Sequence, residues 1–313
     1  MKEITASAPG KFVILGEHAV VYGKPAIALA INRRLAVTVK RADEFRINDE
    51  ASDINSNPHM KHILGHHDMM PVSVHTESRI PAGSGLGSSA ALSVAFSAAM
   101  RSLTGRSIDP TEIIKEAFEA EYSAQGRGSP MDTSASTHGH GIALNIPENN
   151  NVLWEIKKNE HTWKITDIDV PNMTFVIGYT GIRAATGPLV EKVRKYRSNN
   201  RFAADIVDEI GKITTEGMDS IRKNDVVGLG KLMTEDHKLL SILGVSCNEL
   251  NKLVDVSLPY AYGAKLTGSG GGGSMVALTD EPEKVSSAIY SRGGIPFIVK
   301  TGVEGVTVSS RDI

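Results

Sequence analysis

Two glycine-rich segments of the chain combine residue types that suit phosphate binding. The first, residues 81–91, reads Pro-Ala-Gly-Ser-Gly-Leu-Gly-Ser-Ser-Ala-Ala and stands directly before a predicted helix. Glycines let backbone N–H groups approach an anion, and a helix N-terminus adds unpaired donors and a positive dipole end. No lysine follows the last glycine, so the segment is not the common P-loop, and a plain structural turn stays open. The serine pair at 88–89 favours phosphate, because a hydroxyl there can also ligate Mg²⁺.

The second segment, residues 265–273, reads Lys-Leu-Thr-Gly-Ser-Gly-Gly-Gly-Gly and lies between two strand signals. Consecutive glycines cost backbone entropy and provide no side chain to pack, and a plain hairpin needs only about two loop residues. The segment therefore predicts a backbone wall that closes on a ligand. A third segment, residues 8–23, places Lys11, Glu17 and His18 around a short apolar run. Taken singly, these three residues could be ordinary surface groups at strand ends.

The surrounding pattern predicts the elements that must position these segments. Alternating apolar residues predict short strands over 4–8, 12–15, 35–39 and 72–76. The Ala- and Ser-rich stretch that follows the first glycine segment predicts a helix over 88–103. A second helix begins after Asp109, a good N-cap followed by proline. Residues 189–258 are mostly helical in pattern, and strand signals return on both sides of the second glycine segment. The pattern predicts an α+β protein in two parts, with a boundary near residue 170.

Composition and charge restrict the class of protein. The 313 residues include 41% apolar and 22% charged residues, which excludes general disorder. The net charge of −2 argues against a nucleic-acid partner, and no apolar stretch is long enough to predict a membrane span. The single cysteine, Cys247, excludes an internal disulfide, and no signal-peptide pattern opens the sequence. We therefore expect a cytoplasmic protein that acts on small molecules.

Together, the three segments resemble the sequence motifs of the GHMP kinase superfamily, in the same order and with similar wide spacing. Residues 9–23 resemble its first motif, residues 81–91 its second and residues 265–273 its third. Ala-Val-Val follows the Glu-His pair where galactokinases typically carry Thr-Asp-Tyr, which favours the branch that phosphorylates mevalonate. The resemblance implies the two-domain α+β GHMP kinase fold. Its N-terminal domain, similar to ribosomal protein S5 domain 2, would span residues 1–170, and its ferredoxin-like C-terminal domain would span 171–313.

The implied reaction is transfer of the γ-phosphoryl group of ATP to the 5-hydroxyl of mevalonate, which gives 5-phosphomevalonate for isoprenoid precursor synthesis. A related kinase for phosphomevalonate, homoserine or a sugar stays open, as does a non-catalytic ligand sensor with the same fold. The lack of a further basic cluster disfavours phosphomevalonate, and the retention of Lys11, Glu121 and Asp132 disfavours the sensor. The resemblance also implies a homodimer.

The resemblance assigns roles to particular residues. Asp132 would be the catalytic base, and Lys11 would lie beside it and favour alkoxide character on the acceptor hydroxyl. Ser89 and Glu121 would ligate Mg²⁺, a hard cation that prefers oxygen. The residues expected to bind ATP are Arg79, Ile80, Pro81, Ala82, Gly83, Ser84, Gly85, Leu86, Gly87, Ser88 and Ser89. The residues expected to bind mevalonate are Glu17, His18, Arg183, Thr186, Gly268 and Gly270, with Arg183 directed at the carboxylate.

The histidines of residues 59–67 raise a separate question. His62 and His66 stand at positions i and i+4, a spacing that suits a metal, with His67 and Asp68 next to them. A zinc site usually has a firm third ligand, which the local sequence does not supply, so we expect a solvated, mobile segment near the nucleotide. Asn55 and Ser56 are candidates for the adenine pocket. His138 and His140 are expected in a loop before a strand.

Overall fold

The computed structural model describes residues 2–126, 128–146, 151–159, 161–183 and 186–312. The strands in these ranges are β1 (Lys2–Leu15), β2 (Ala26–Arg41), β3 (Arg46–Ile47), β4 (Glu50–Ala51), β5 (Val72–Ser78), β6 (Gly141–Leu144), β7 (Val152–Lys158), β8 (His161–Ile168), β9 (Thr174–Tyr179), β10 (Gly263–Thr267), β11 (Ser274–Leu278), β12 (Ile295–Lys300) and β13 (Thr307–Asp312). The helices are α1 (Pro58–Gly65), α2 (Ser88–Leu103), α3 (Pro110–Gln125), α4 (Met131–His138), α5 (Thr186–Asn199), α6 (Arg201–Arg222), α7 (Val226–Ile242), α8 (Asn248–Ser257) and α9 (Pro282–Ser291).

The first sheet is built around two long antiparallel strands, β1 and β2. Most of its strands follow the order β4-β3-β5-β2-β6-β8-β7, and β13 pairs with the outer side of β1. Helix α2 packs on both β1 and β2, α3 packs on α2, and α1 packs on α3. The glycine segment at 81–87 therefore leads from strand β5 into the helix that covers the sheet.

The second sheet has the order β10-β11-β9-β12 and is antiparallel throughout. Helices α7 and α8 pack on β10, and α9 packs on β9 and β12. The second glycine segment connects β10 to β11. The two sheets share a core, because the ring of Phe12 on β1 meets that of Phe175 on β9 edge-on at 4.9 Å between centroids. This contact fixes one sheet against the other beside the glycine segments.

The predicted α+β class is confirmed, and several elements match closely. The helix predicted over 88–103 has those bounds, and Asp109 caps α3 by accepting a hydrogen bond from the N–H of Thr111. The short strands predicted near the start are parts of two long strands, whose register shifts at Pro9/Gly10 and Val13/Leu15. The predicted boundary near residue 170 stays a prediction; strand β13, far beyond it, lies in the first sheet.

Two sequence predictions are wrong. Residues 58–65 form helix α1, whose Met60, Ile63 and Leu64 are buried, so this segment is packed against the protein instead of solvated and mobile. His138 is the last residue of helix α4, not a loop residue; the short polar sequence of α4 has little helical periodicity, and packing against α2, β1 and β6 stabilises it. Among the described residues, none of the helices combines the length and the apolar character that crossing a bilayer requires.

Candidate active site

The three segments singled out in the sequence meet around one cavity of about 300 Å³. Strand β1 ends at its floor, the loop before α2 forms one wall, and the loop between β10 and β11 forms the opposite wall. Its lining residues include Lys11, Val13, Glu17, His18, Gly83, Ser84, Gly85, Ser129, Met131, Asp132, Thr267, Gly268, Ser269, Gly270, Gly272 and Gly273.

Hydrogen bonds between the segments hold these walls together. The Ser274 hydroxyl donates to the carbonyl oxygen of Ser84 at 2.8 Å, which joins the start of β11 to the first glycine loop. The Thr267 hydroxyl donates to the carbonyl oxygen of Val13 at 2.9 Å and accepts from the N–H of Val13 at 3.1 Å. The cavity is thus built by direct contact between segments that lie far apart in the chain.

Lys11 and Asp132 form an ion pair at the cavity wall. The Lys11 Nζ lies 2.9 Å from the Asp132 Oδ1. Lys11 is buried and held on β1, whose backbone N–H at this residue donates to the carbonyl oxygen of Leu86 at 3.0 Å. Asp132 lies in the first turn of α4 and its side chain is 47% exposed. A fixed cation thus stands beside a carboxylate that small molecules can reach.

Glu121 of α3 faces the first turns of α2. Its Oε1 accepts from the hydroxyls of Ser89 at 2.5 Å and Ser93 at 2.9 Å, and its Oε2 accepts from the Gln125 amide at 2.9 Å. Ser89 and Ser93 are one helical turn apart, so both hydroxyls point to the same side of α2. A carboxylate and hydroxyls next to a phosphate-type loop fit the oxygen preference of Mg²⁺.

A buried charge cluster supports the cavity from behind. Lys265 is completely buried, forms an ion pair with Glu17, and lies 3.4 Å from the Asp236 Oδ2. Burial raises the pKa of the Asp236 carboxyl to about 7 and also raises the pKa of Glu17, while the nearby Lys265 opposes both shifts. A single cation between two buried carboxylates favours a shared proton over two full negative charges.

Besides both Oδ atoms of Asp236 behind the cavity, two polar atoms of the residues that line it lack hydrogen-bond partners within the described part of the chain. They are the Glu17 Oε2 and the His18 Nδ1, both buried. The other ring nitrogen of His18, Nε2, lies 2.9 Å from the carbonyl oxygen of Ser269. Burial lowers the pKa of His18, which favours a neutral ring. Because unpaired buried polar atoms are costly, these two atoms mark a place where a polar ligand would bind.

Comparison with known proteins agrees with this geometry. Residues 58–140 match the family described as "GHMP kinases N terminal domain", and residues 218–294 match the family described as "GHMP kinases C terminal". The mevalonate kinase of Pyrococcus furiosus is 33% identical, and the match covers 98% of both chains. The chain belongs to the mevalonate kinase family.

Other members of the mevalonate kinase family agree in sequence and in fold. The mevalonate kinase of Methanothermobacter thermautotrophicus is 34% identical over 87% of this chain and 89% of its own. The crystal structure of the Methanococcus jannaschii mevalonate kinase superposes with a TM-score of 0.78 at 28% identity, covering 96% and 98% of the two chains. That of the L. major mevalonate kinase in complex with R-mevalonate gives 0.83 at 24% identity, covering 96% of each chain, which shows the fold. The family and fold predicted from the sequence are confirmed.

The remaining residues predicted to bind mevalonate are Arg183, Thr186, Gly268 and Gly270. Arg183 is exposed and reaches over the first glycine loop, since its Nε would lie 3.0 Å from a Cβ added to Gly83. Gly268 and Gly270 line the cavity. The side chain of Thr186 lies outside the described residues.

The segment predicted to bind ATP runs from the end of β5 to the start of α2. Arg79 is exposed and Ile80 is buried, and the Ser84 hydroxyl donates to the carbonyl oxygen of Pro81 at 2.7 Å. The glycines at 83, 85 and 87 all have positive φ, which turns the backbone sharply before the helix.

Sequence reasoning missed four residues near the site. Ser93 could have been found, because it repeats Ser89 at the i+4 spacing. Lys265 begins the third motif of the sequence, but its burial against Glu17 depends on a partner far away in the chain. His59 lies 3.2 Å from the Glu121 Oε1, and Asp236 lies under the cavity floor. Nothing local to His59 or Asp236 indicates those positions.

Proposed function

We propose that this protein transfers the γ-phosphoryl group of ATP to the 5-hydroxyl of mevalonate. The near full-length similarity to mevalonate kinases gives the substrate class. The observation that carries the chemistry is the Lys11–Asp132 ion pair in a cavity bounded by both glycine loops. Phosphoryl transfer demands little covalent chemistry from a protein, so positioning and charge compensation dominate catalysis.

In the proposed reaction, Asp132 accepts the proton of the acceptor hydroxyl as the oxygen attacks the γ-phosphorus. The bond from that phosphorus to the β,γ-bridging oxygen breaks, and ADP leaves with the bond's electrons. Lys11 lies 2.9 Å from Asp132 and compensates the negative charge that gathers on the hydroxyl oxygen and the transferred group. Its burial on a central strand fixes the ammonium group before substrate arrives. The amide groups of the loop at 83–87 and the N-terminus of α2 would receive the phosphates.

The divalent metal of this reaction would be Mg²⁺, held by Ser89 and Glu121. Bound Mg²⁺ neutralises phosphate charge and orients the γ-phosphoryl group. The Glu121 carboxylate now accepts hydrogen bonds from Ser89, Ser93 and Gln125. These donors keep the carboxylate aimed at the first turn of α2, where the phosphates of ATP would lie.

Mevalonate would lie against Glu17 and His18. Because the His18 Nε2–H donates to the carbonyl oxygen of Ser269, the Nδ1 of the neutral ring is an acceptor, as is the Glu17 Oε2. Both unpaired atoms therefore fit ligand hydroxyls that donate to them. The exposed Arg183 guanidinium above Gly83 would meet the carboxylate of mevalonate through paired N–H donors. Gly268 and Gly270 would close the opposite side with backbone alone.

The nucleoside of ATP would lie beside α1. A second cavity of about 570 Å³ is lined there by Asn55, Pro58, Lys61 and Met69, among others. His59 of α1 contacts Glu121, and Glu121 contacts Ser89, so this cavity is next to the proposed metal ligands. The position agrees with the adenine contact expected of Asn55.

The decisive test is Asp132→Asn, assayed with ATP and a panel of alcohols comprising mevalonate, phosphomevalonate, homoserine and galactose. We expect wild type to favour mevalonate, and the variant to keep ATP affinity while kcat falls by roughly 10²–10³-fold or more, through loss of base and electrostatic roles. Asp208→Asn is the matched control, because Asp208 also pairs with a lysine, Lys24 at 2.7 Å, but on the surface. Near-normal kcat in Asp132→Asn, or a preference for another alcohol in wild type, would contradict the proposal.

A further inference from the structure

Helices α1 and α3 bring together three side chains that have no role in the proposed phosphoryl transfer, although two of them line the cavity beside α1. His62 and His66 lie one turn apart on α1, and Glu119 on α3 faces both. The Nε2 atoms of His62 and His66 each lie 3.8 Å from the Glu119 Oε2. One ligand atom from each of the three residues lies within 4.8 Å of the others. The third ligand that the local sequence of α1 lacks is therefore supplied by the neighbouring helix.

The state of these side chains suits metal binding. The His62 Nε2 is buried and has no hydrogen-bond partner within the part of the chain that the structure describes. Burial lowers the pKa of His62, helped by the neighbouring His66, so the neutral imidazole that ligates metals is favoured. At 3.8 Å, Glu119 is too far away to satisfy this nitrogen with a hydrogen bond.

The spacing of the ligand atoms is close to that of a tetrahedral site. Bonds of ~2.0–2.1 Å to nitrogen and oxygen place neighbouring ligands about 3.4 Å apart around Zn²⁺. The two 3.8 Å separations from Glu119 need only a small inward movement, and the two histidine ligand atoms, which lie within 4.8 Å of each other, must also approach. The partly exposed side chains of His66 and Glu119 can make these movements. The cavity beside α1, lined by His62 and His66, leaves room for a fourth ligand.

We propose that His62, His66 and Glu119 bind Zn²⁺ or a similar transition-metal ion, with the fourth position open to the cavity. Two imidazoles and one carboxylate favour Zn²⁺ over Mg²⁺, which prefers oxygen ligands alone and octahedral geometry. The site is therefore chemically distinct from the proposed Mg²⁺ ligands, Ser89 and Glu121. Bound metal would fix α1 against α3 two residues before Glu121, the residue that faces the phosphates in the proposed reaction.

The test is calorimetric titration of the untagged protein with Zn²⁺ in the absence of nucleotide, repeated with an excess of Mg²⁺. Co²⁺ provides a second readout, because its visible absorption reports tetrahedral coordination. We expect saturation near one equivalent that Mg²⁺ does not prevent. His66→Gln and Glu119→Gln should each lower the affinity for Zn²⁺ at least about 100-fold, because the loss of even an outer-shell partner of a metal site lowers metal affinity by about 10–100-fold.

Two control variants separate this site from other sources of binding. The exposed side chains of His75 and Glu77 pair at 3.7 Å on strand β5, and His75→Gln should leave Zn²⁺ affinity unchanged. Glu121→Gln should also keep Zn²⁺ binding, since Glu121 is not one of the three proposed Zn²⁺ ligands. No saturable binding to wild type, equal affinity in His66→Gln, or loss of binding in Glu121→Gln would each overturn the proposal. None of these readouts depends on turnover, so the result is independent of the proposed kinase activity.

Discussion

Gly87 stands where the first glycine loop becomes helix α2, and its replacement by alanine would disturb Lys11 without touching its charge. Gly87 has φ of +74°, and an added Cβ would lie 3.0 Å from the Lys11 Cγ and 3.2 Å from the Lys11 Cε. Both distances are tighter than ordinary contacts, and Lys11 is buried to 4% exposure, so its stem has little space for retreat. The methyl group should therefore displace the Lys11 side chain, and with it the ammonium group that pairs with Asp132.

Two effects of Gly87→Ala can be separated by size. The left-handed backbone conformation costs a non-glycine residue about 1–2 kcal/mol of folding free energy. Moving the Lys11 Nζ out of its 2.9 Å contact with Asp132 is a catalytic effect, and a misplacement near 1 Å can cost on the order of 10²-fold. We expect kcat to fall by about that factor while the protein stays folded.

Gly105→Ala is the matched control for the backbone effect. Gly105 has φ of +73° at the end of α2, and an added Cβ there meets no atom within 4 Å. Denaturant unfolding should show similar losses of stability for both alanine variants, whereas steady-state kinetics should show a lower kcat for Gly87→Ala alone. If kcat of Gly87→Ala stays within about twofold of that of Gly105→Ala, Lys11 is not held in place by close packing and the reasoning fails.

Two further predictions concern charges next to the cavity. Glu121→Gln should raise the Mg²⁺ concentration needed for half-maximal activity more than Ser89→Ala does, because the hard cation loses a charged ligand in the first case and a neutral hydroxyl that water can replace in the second. The effects of the two substitutions should be non-additive in the double variant. An unshifted dependence of activity on Mg²⁺ in Glu121→Gln would show that Glu121 is not a ligand. Asp236→Asn should flatten the dependence of stability on pH. Because its pKa is raised to about 7, Asp236 in the folded protein keeps a proton that the unfolded chain releases near pH 4. As the pH rises between these two values, the wild type therefore loses up to about 1.4 kcal/mol of unfolding free energy per pH unit. Urea unfolding of both proteins from pH 4 to pH 8 checks this, and parallel curves would show that Asp236 does not titrate in that range.

The sequence predicted the parts of the site that carry a local signal. Glycine runs before a helix, the proline after Asp109 and the alternation along β1 each depend on neighbouring residues, and their elements match the structure. What could not be predicted depends on packing between distant segments. Lys265 is buried only because Glu17 and Asp236 meet it, and α1 is ordered because its apolar side packs on α3. The roles of individual residues in the site stay predictions until they are tested by substitution.

The pairing of β13 with β1 leaves the first sheet incomplete for much of the time in which the protein is synthesised. Residues 3–7 of β1 lie between β2 and β13, and β13 is translated roughly 300 residues after β1. At ~5–20 residues per second, β1 waits roughly 15–60 s for this partner. During translation the first sheet therefore has an open edge next to the buried Ile4 and Ala6. Such an edge is a template for pairing with other chains, so the nascent protein is exposed to aggregation at this edge until β13 has been made.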